Sequence, residues 1–188
     1  PEIYLTAAIC VVLLFDLFVA GKNTGRTATL TLLVLVIGAA ITWHQGITER
    51  TVIFNGLYVA DRLSSLLKMG AFLFAALALF YSRDYLVRRG LAKGEYYVLS
   101  LTALLGVLVM ASASNLLTIY IGVELLSLSL YAIVAFDRDS GVAAEAAMKY
   151  FVLGAIASGT LLYGMSLGYG ITGSLQLDEI AVGVSEGR

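Results

Sequence analysis

Six long apolar runs constrain this chain more than any other feature: Ile3–Ala20, Thr27–Trp43, Asp61–Ser82, Glu95–Ala113, Asn115–Phe136 and Ala143–Ile171. A bilayer core ~30 Å thick takes about 20 residues of α-helix, so each run is near or above the length of a span. In lipid every backbone N–H and C=O must be satisfied within the chain, which favours helices for such runs. The expected fold class is therefore all-α, a polytopic transmembrane helix bundle with about six spans. The last run is long enough to include an interfacial turn. Composition agrees, since 60% of the 188 residues are hydrophobic and 13% charged, where a soluble domain carries about 25% charged residues. A soluble enzyme is excluded.

The ends of the runs carry their own signals. Trp43, Tyr58, Tyr81, Tyr85, Tyr96 and Tyr97 cluster there, as interfacial aromatics do, and Asn115 reads as a helix cap. Lys22 and Arg26 follow the first run, Arg83, Arg88, Arg89 and Lys93 the third, and Arg138 the fifth. The alternate connectors hold only Arg50 and, at the chain end, Arg188. The excess of Lys and Arg places the first set in the cytoplasm and the N-terminus outside. Between the second and third runs, Gln45–Tyr58 is too polar and short to span, and alternation around Thr51–Phe54 suggests a surface turn or small hairpin. Only Pro1 and Glu2 precede the first run, so a secretory signal is a poor reading. A start without Met suggests a piece of something longer.

Several function classes find no support. The net charge of −1 gives no basic excess for nucleic acid. Cys10 and His44 stand alone, so no disulfide within the chain and no Cys/His metal or redox centre is expected. His44, beside Trp43, reads as an interfacial residue. Gly154, Gly159, Gly164, Gly168 and Gly170 lie within the last run. Gly164-x-x-x-Gly168 and Gly154-x-x-x-Ser158 have the spacing of tight helix packing in lipid, and no strand precedes them as a phosphate loop would require.

The informative residues are ionisable groups inside the runs. Glu124 lies nine residues after Asn115, roughly 14 Å along a helix rising 1.5 Å per residue and hence near the midplane. A charge there costs about 2.5–3.5 kcal/mol on insertion scales, so the carboxyl must meet a partner or water, or keep its proton. Tyr120, Ser127 and Tyr131 fall on the same helix face at i−4, i+3 and i+7. A polar stripe with one titratable group at mid-depth is what a proton-conducting helix requires; the alternative is a glutamate that only bonds a neighbouring helix. Lys149 follows Glu145 by four residues, which favours an ion pair at the mouth of the sixth span, from which the lysine would also reach the surface. Lys68, two turns into the third run, reads as a lysine snorkelling to the outer surface. Asp16, near the end of the first run, is expected to be wet.

The stretch Asn115-Leu-Leu-Thr-Ile-Tyr-Ile-Gly-Val-Glu124-Leu-Leu-Ser-Leu-Ser-Leu-Tyr131 resembles the antiporter-like membrane subunits of respiratory complex I. The continuation Glu145-Ala-Ala-Met-Lys149-Tyr-Phe-Val-Leu-Gly-Ala-Ile-Ala-Ser-Gly159, with Leu-Leu-Tyr-Gly-Met165 and Tyr-Gly-Ile-Thr-Gly-Ser174, narrows the likeness to the subunit N group of bacterial NADH-quinone oxidoreductase. It is dense from Ser114 to Leu175 and thinner earlier, where Ala60-Asp-Arg-Leu-Ser-Ser-Leu-Leu-Lys68 echoes the third helix.

The resemblance implies a longer protein of about fourteen helices in the bacterial inner membrane, with inverted repeats that each build a half-channel. On that reading residues 1–112 hold helices one to four, residues 113–175 begin the proton-translocation module, and residues 176–188 form a periplasmic loop leading to further helices. Glu124 matches a fifth-helix glutamate that modulates a seventh-helix lysine, and Lys149 matches a sixth-helix lysine. Both would serve proton translocation, supported by Tyr120, Ser127 and Tyr131, with Lys68 as a further candidate. The chain itself is expected to bind no cofactor: NADH, FMN, iron–sulfur clusters and quinone would belong to other subunits, which with the lipid bilayer would be its partners. The rival readings are a cation/proton antiporter or membrane hydrogenase subunit, and a purely structural bundle.

Overall fold

The computed structural model describes residues 1–19, 24–45 and 50–185. Lys22 and Arg188, used above for orientation, lie outside the described residues. The elements run α1 (Glu2–Val19), α2 (Thr24–Gln45), β1 (Thr51–Ile53), β2 (Tyr58–Ala60), α3 (Arg62–Arg88), α4 (Gly94–Ala111), α5 (Leu116–Val134), α6 (Gly141–Thr172) and α7 (Leu177–Ser185). Helices α2 to α6 are long and apolar enough to cross a membrane. The 18 residues of α1 rise about 27 Å, close to the same span. The chain is a multi-pass membrane protein.

Three boundaries differ from expectation, each for a local reason. Helix α3 runs on past Ser82 to Arg88, because no breaker intervenes before Gly90, whose φ of 69° ends the helix. Arg83 and Arg88 therefore stand on helix rather than in a connector. Helix α6 is one continuous 32-residue rod without the interfacial turn. Residues 177–185, expected as loop, form α7, with Asp178 and Glu179 in the first turn where the helix dipole favours carboxylates. They are too short to span, which is why span counting passed over them.

Residues 51–60 form the small hairpin, with Thr51 opposite Ala60 and Ile53 opposite Tyr58. Strand β2 does not end there. Val59 N–H donates to Ser112 O at 2.8 Å and Ser114 N–H to Leu57 O at 3.2 Å, which stitches the hairpin to the α4–α5 turn. Leu116 N–H donates to Leu175 O at 2.9 Å and Leu177 N–H to Ser114 O at 3.1 Å, which adds the α6–α7 connection. Three connectors are thus joined by backbone hydrogen bonds into a clasp over one end of the bundle. The opposite end carries Arg26, Arg88, Arg89, Lys93 and Arg138, and Arg138 pairs there with Glu95 at 2.9 Å.

The core lies among the first four helices, where Leu5, Val12, Leu35, Phe72, Leu101 and Leu108 are fully buried. Helix α5 is laid against α4 at a backbone crossing. A Cβ at Gly106 would stand 2.7 Å from Gly122 O, and one at Gly122 would stand 2.9 Å from Gly106 O. Lipid gives helices no hydrophobic reason to associate, so such close backbone approach supplies the attraction. Sequence spacing pointed to other glycines. Of these only Gly154 packs, against Tyr131, while Gly159, Gly164, Gly168 and Gly170 have open space where a side chain would go. Helix α6 packs along α5 and, at its far end, against the short α7, and Met165 is its one buried residue.

Candidate functional site

Helix α5 starts at Asn115, whose side chain accepts from Leu117 N–H at 2.8 Å, so the sequence-derived cap is present. From that fixed origin Glu124 falls near the middle of the 19-residue helix. It is half-buried and turned toward α6. There the Ser158 hydroxyl donates to Glu124 Oε1 and lies 3.2 Å from the Tyr120 hydroxyl. A serine hydroxyl has one proton. With that proton on the carboxylate, the phenol proton of Tyr120 points at Ser158 Oγ, and a chain runs from Tyr120 through Ser158 to Glu124.

Tyr131, two turns further on, packs edge-on against Tyr150 and Phe151, with ring centroids 4.9 and 5.5 Å apart. Its hydroxyl lies where a side chain at Gly154 would stand. Between residues 151 and 160 of α6, Gly154 and Ser158 are the two half-buried residues and the others are exposed. The spacing read as simple packing is therefore a seam with two uses: Gly154 admits Tyr131, and Ser158 bonds Glu124. Ser158 was not singled out from the sequence as a polar partner, because a serine among small residues carries no other mark. Ser127 is half-buried on α5 and stays outside the hydrogen-bonded chain.

Lys149 does not join this group. Nine residues separate it from Ser158, which is about 14 Å and two and a half turns, so it points to the opposite side of α6. It pairs with Glu145 at 2.5 Å, and both side chains are exposed.

Lys68 corrects the snorkelling expectation. Its side chain is 4% exposed and its Nζ lies 2.6 Å from Glu2 Oε1. It donates to Tyr58 Oη at 2.7 Å, and that hydroxyl donates to Glu2 Oε2 at 2.8 Å. Each member of the triad touches the other two, and the three come from α1, β2 and α3. A lysine supplied with a carboxylate and a phenol has no need to reach water. The triad borders a cavity of about 710 Å³ beneath the hairpin, lined also by Gln45, Thr51 and Ser65. Asp16 is half-buried rather than fully wet and accepts from Thr27 Oγ1 at 3.0 Å. Trp43 and His44 are exposed at the end of α2. Among the described residues, no three His, Cys, Asp or Glu side chains are placed to hold a metal ion.

A polytopic bundle with a mid-span carboxyl held in a polar seam defines a class, membrane proteins with a titratable interior. The particular family follows from likeness to known proteins. Residues 113–187 match the family described as NADH:quinone oxidoreductase/Mrp antiporter, TM. Similar relatives include NADH-quinone oxidoreductase subunit N of Alkalilimnicola ehrlichii, 55% identical over 99% of this chain and 38% of that protein. The subunit N of Thiobacillus denitrificans is 52% identical over 100% of this chain and 39% of its own length. Among solved structures, respiratory complex I from Thermus thermophilus with bound aureothin contains a chain matching with TM-score 0.77 and 32% identity, over 94% of this chain and 38% of that one. An archaeal membrane-bound sulfane sulfur reductase shares the fold, with TM-score 0.71 and 22% identity over 97% of this chain and 40% of that one. The chain belongs to the antiporter-like membrane subunit family of NADH-quinone oxidoreductases. It spans about two fifths of the length of the curated relatives it matches.

Proposed function

We propose that this chain is part of a proton-translocating membrane-arm subunit of NADH-quinone oxidoreductase. The observation that carries the reading is the Glu124 carboxyl at mid-span, hydrogen-bonded across the α5–α6 seam. A carboxyl at that depth is costly, and the hydroxyls of Ser158 and Tyr120 offset part of the cost while giving a proton somewhere to go. The mechanism is electrostatic. A change elsewhere in the complex shifts the pairing of Glu124 with the seventh-helix lysine that the family resemblance implies, and the two titrate as a coupled pair. Tyr131 and Ser127 extend the polar face, and Lys149 serves a later step of the path from the far side of α6. The subunit acts as part of a translocase and does no redox chemistry itself. NADH, FMN, iron–sulfur clusters and quinone belong to other subunits of the complex, with neighbouring membrane subunits as partners.

The end holding Arg26, Arg88, Arg89, Lys93 and Arg138 faces the cytoplasm, and the clasp faces the periplasm across the inner membrane. The family description also names Mrp antiporters, which favours a cation/proton antiporter subunit as the second reading. The test is Glu124→Gln in the full-length subunit, with NADH oxidation and proton uptake followed together in inverted membrane vesicles. Both are expected to fall in an intact complex. Unchanged pumping per NADH and unchanged turnover would assign Glu124 to structure and remove the proposal.

A further inference from the structure

We propose that Ser158 is a positioning residue for Glu124, a link that holds the carboxyl in the seam in both of its protonation states. The inference rests on the proton-translocation reading of Glu124 and adds a residue from a second helix to it.

Three observations carry it. The Ser158 hydroxyl touches both Glu124 Oε1 and, at 3.2 Å, the Tyr120 hydroxyl. Ser158 belongs to α6, whereas Glu124 and Tyr120 belong to α5, so the bond crosses between helices. Ser158 is also half-buried on a mostly exposed stretch of α6 whose other polar side chain, Thr160, bonds back to Ile156 O on its own helix at 2.8 Å.

The chemistry of a hydroxyl explains why serine suits the place. It donates one proton and accepts on two lone pairs. When Glu124 is ionised, Ser158 donates to it and accepts from Tyr120. When Glu124 is protonated, its O–H donates to Ser158 Oγ, and the serine proton turns toward Tyr120 Oη. No heavy atom moves and the chain only reverses direction. A proton arriving at or leaving Glu124 therefore leaves the carboxyl bonded to Ser158 in either state. Alanine would leave the carboxyl without a partner on α6, and threonine would keep the hydroxyl.

The test uses the full-length subunit in the assembled complex. Pumping per NADH is measured in inverted vesicles for Ser158→Ala, Ser158→Thr, Glu124→Gln and the Ser158→Ala/Glu124→Gln pair. Redox-induced infrared difference spectra record the Glu124 carboxyl band, identified by its loss in Glu124→Gln. Ser158→Ala is expected to lower pumping by roughly three- to tenfold, the scale of a typical net hydrogen bond, and to displace the carboxyl band. Ser158→Thr restores both. In the Glu124→Gln background Ser158→Ala adds no further loss, since it acts through the carboxyl. If Glu124→Gln lowers pumping while Ser158→Ala leaves both pumping and band unmoved, the positioning role is overturned and the reading of Glu124 survives. If Ser158→Ala still lowers pumping in the Glu124→Gln background, the serine acts independently and the proposal fails. If Glu124→Gln itself changes nothing, the reading beneath it falls.

Discussion

Removing the charge of Glu2 without changing its shape tests whether the hairpin end is held by a buried ion pair. Glu2→Gln leaves the Lys68 ammonium, 4% exposed and 2.6 Å from the substituted atom, without its counter-charge. Breaking one side of a buried pair costs about 3–5 kcal/mol, because the remaining charge stays desolvated and unpaired. Tyr58 reduces that cost, since its hydroxyl still accepts from Lys68 at 2.7 Å. The expected loss for Glu2→Gln is thus near the lower end, about 3 kcal/mol. Lys68→Met strands a carboxylate that is 16% exposed and still bonded to Tyr58, so its cost is smaller. Glu2→Gln/Lys68→Met removes both charges at similar volume and is expected to cost less than either single change. The assay is thermal unfolding of the full-length subunit in lipid nanodiscs, together with its yield in the assembled complex. A Glu2→Gln cost below about 1 kcal/mol, the value of an exposed pair, would refute the burial argument. So would a double variant as damaging as the two single changes added together.

Two further changes probe what holds the helices that carry Glu124. Gly122→Leu drives a side chain into α4, where its Cβ would stand 2.9 Å from Gly106 O, and should cost at least the ~1–3 kcal/mol of an overpacked core, seen as lost assembly. Asn115→Ala removes the cap bond to Leu117 N–H and should lower stability by about 1 kcal/mol, with Asn115→Ser restoring most of it in the same unfolding assay.

Much of this architecture is legible without coordinates, for reasons of length and period. The ~30 Å core sets a minimum run that α2 to α6 meet. The cap at Asn115 and the hairpin at residues 51–60 follow from side-chain chemistry and alternation within a few residues. Glu124, Tyr120 and Tyr131 fall on one face because helical spacing is local. What stays hidden is set by partners far along the chain. Lys68 looks like a snorkelling lysine until Glu2 and Tyr58 meet it, and those two are themselves 56 residues apart. Ser158 looks like a packing residue until α6 is laid against α5. The Gly106–Gly122 crossing lies on two different helices, so no repeat within one helix announces it. The overrun of α3 to Arg88 escaped a reading that equated the end of the apolar run with the end of the helix.

The clasp bears on how Glu124 can be influenced at all. Helices α5 and α6 are joined by chain at residues 135–140 and by the bonds from Leu116 to Leu175 and from Leu177 to Ser114 at the other extremity. Together they make a closed ladder with two fixed rungs. Neither rail can slide along the other by a helical turn without snapping a rung. Axial ratcheting, one recurring form of switching between packed helices, is therefore closed to this pair while the clasp holds. Changes of field, hydration or hydroxyl orientation at the carboxyl need no such slide, and the ladder leaves them open.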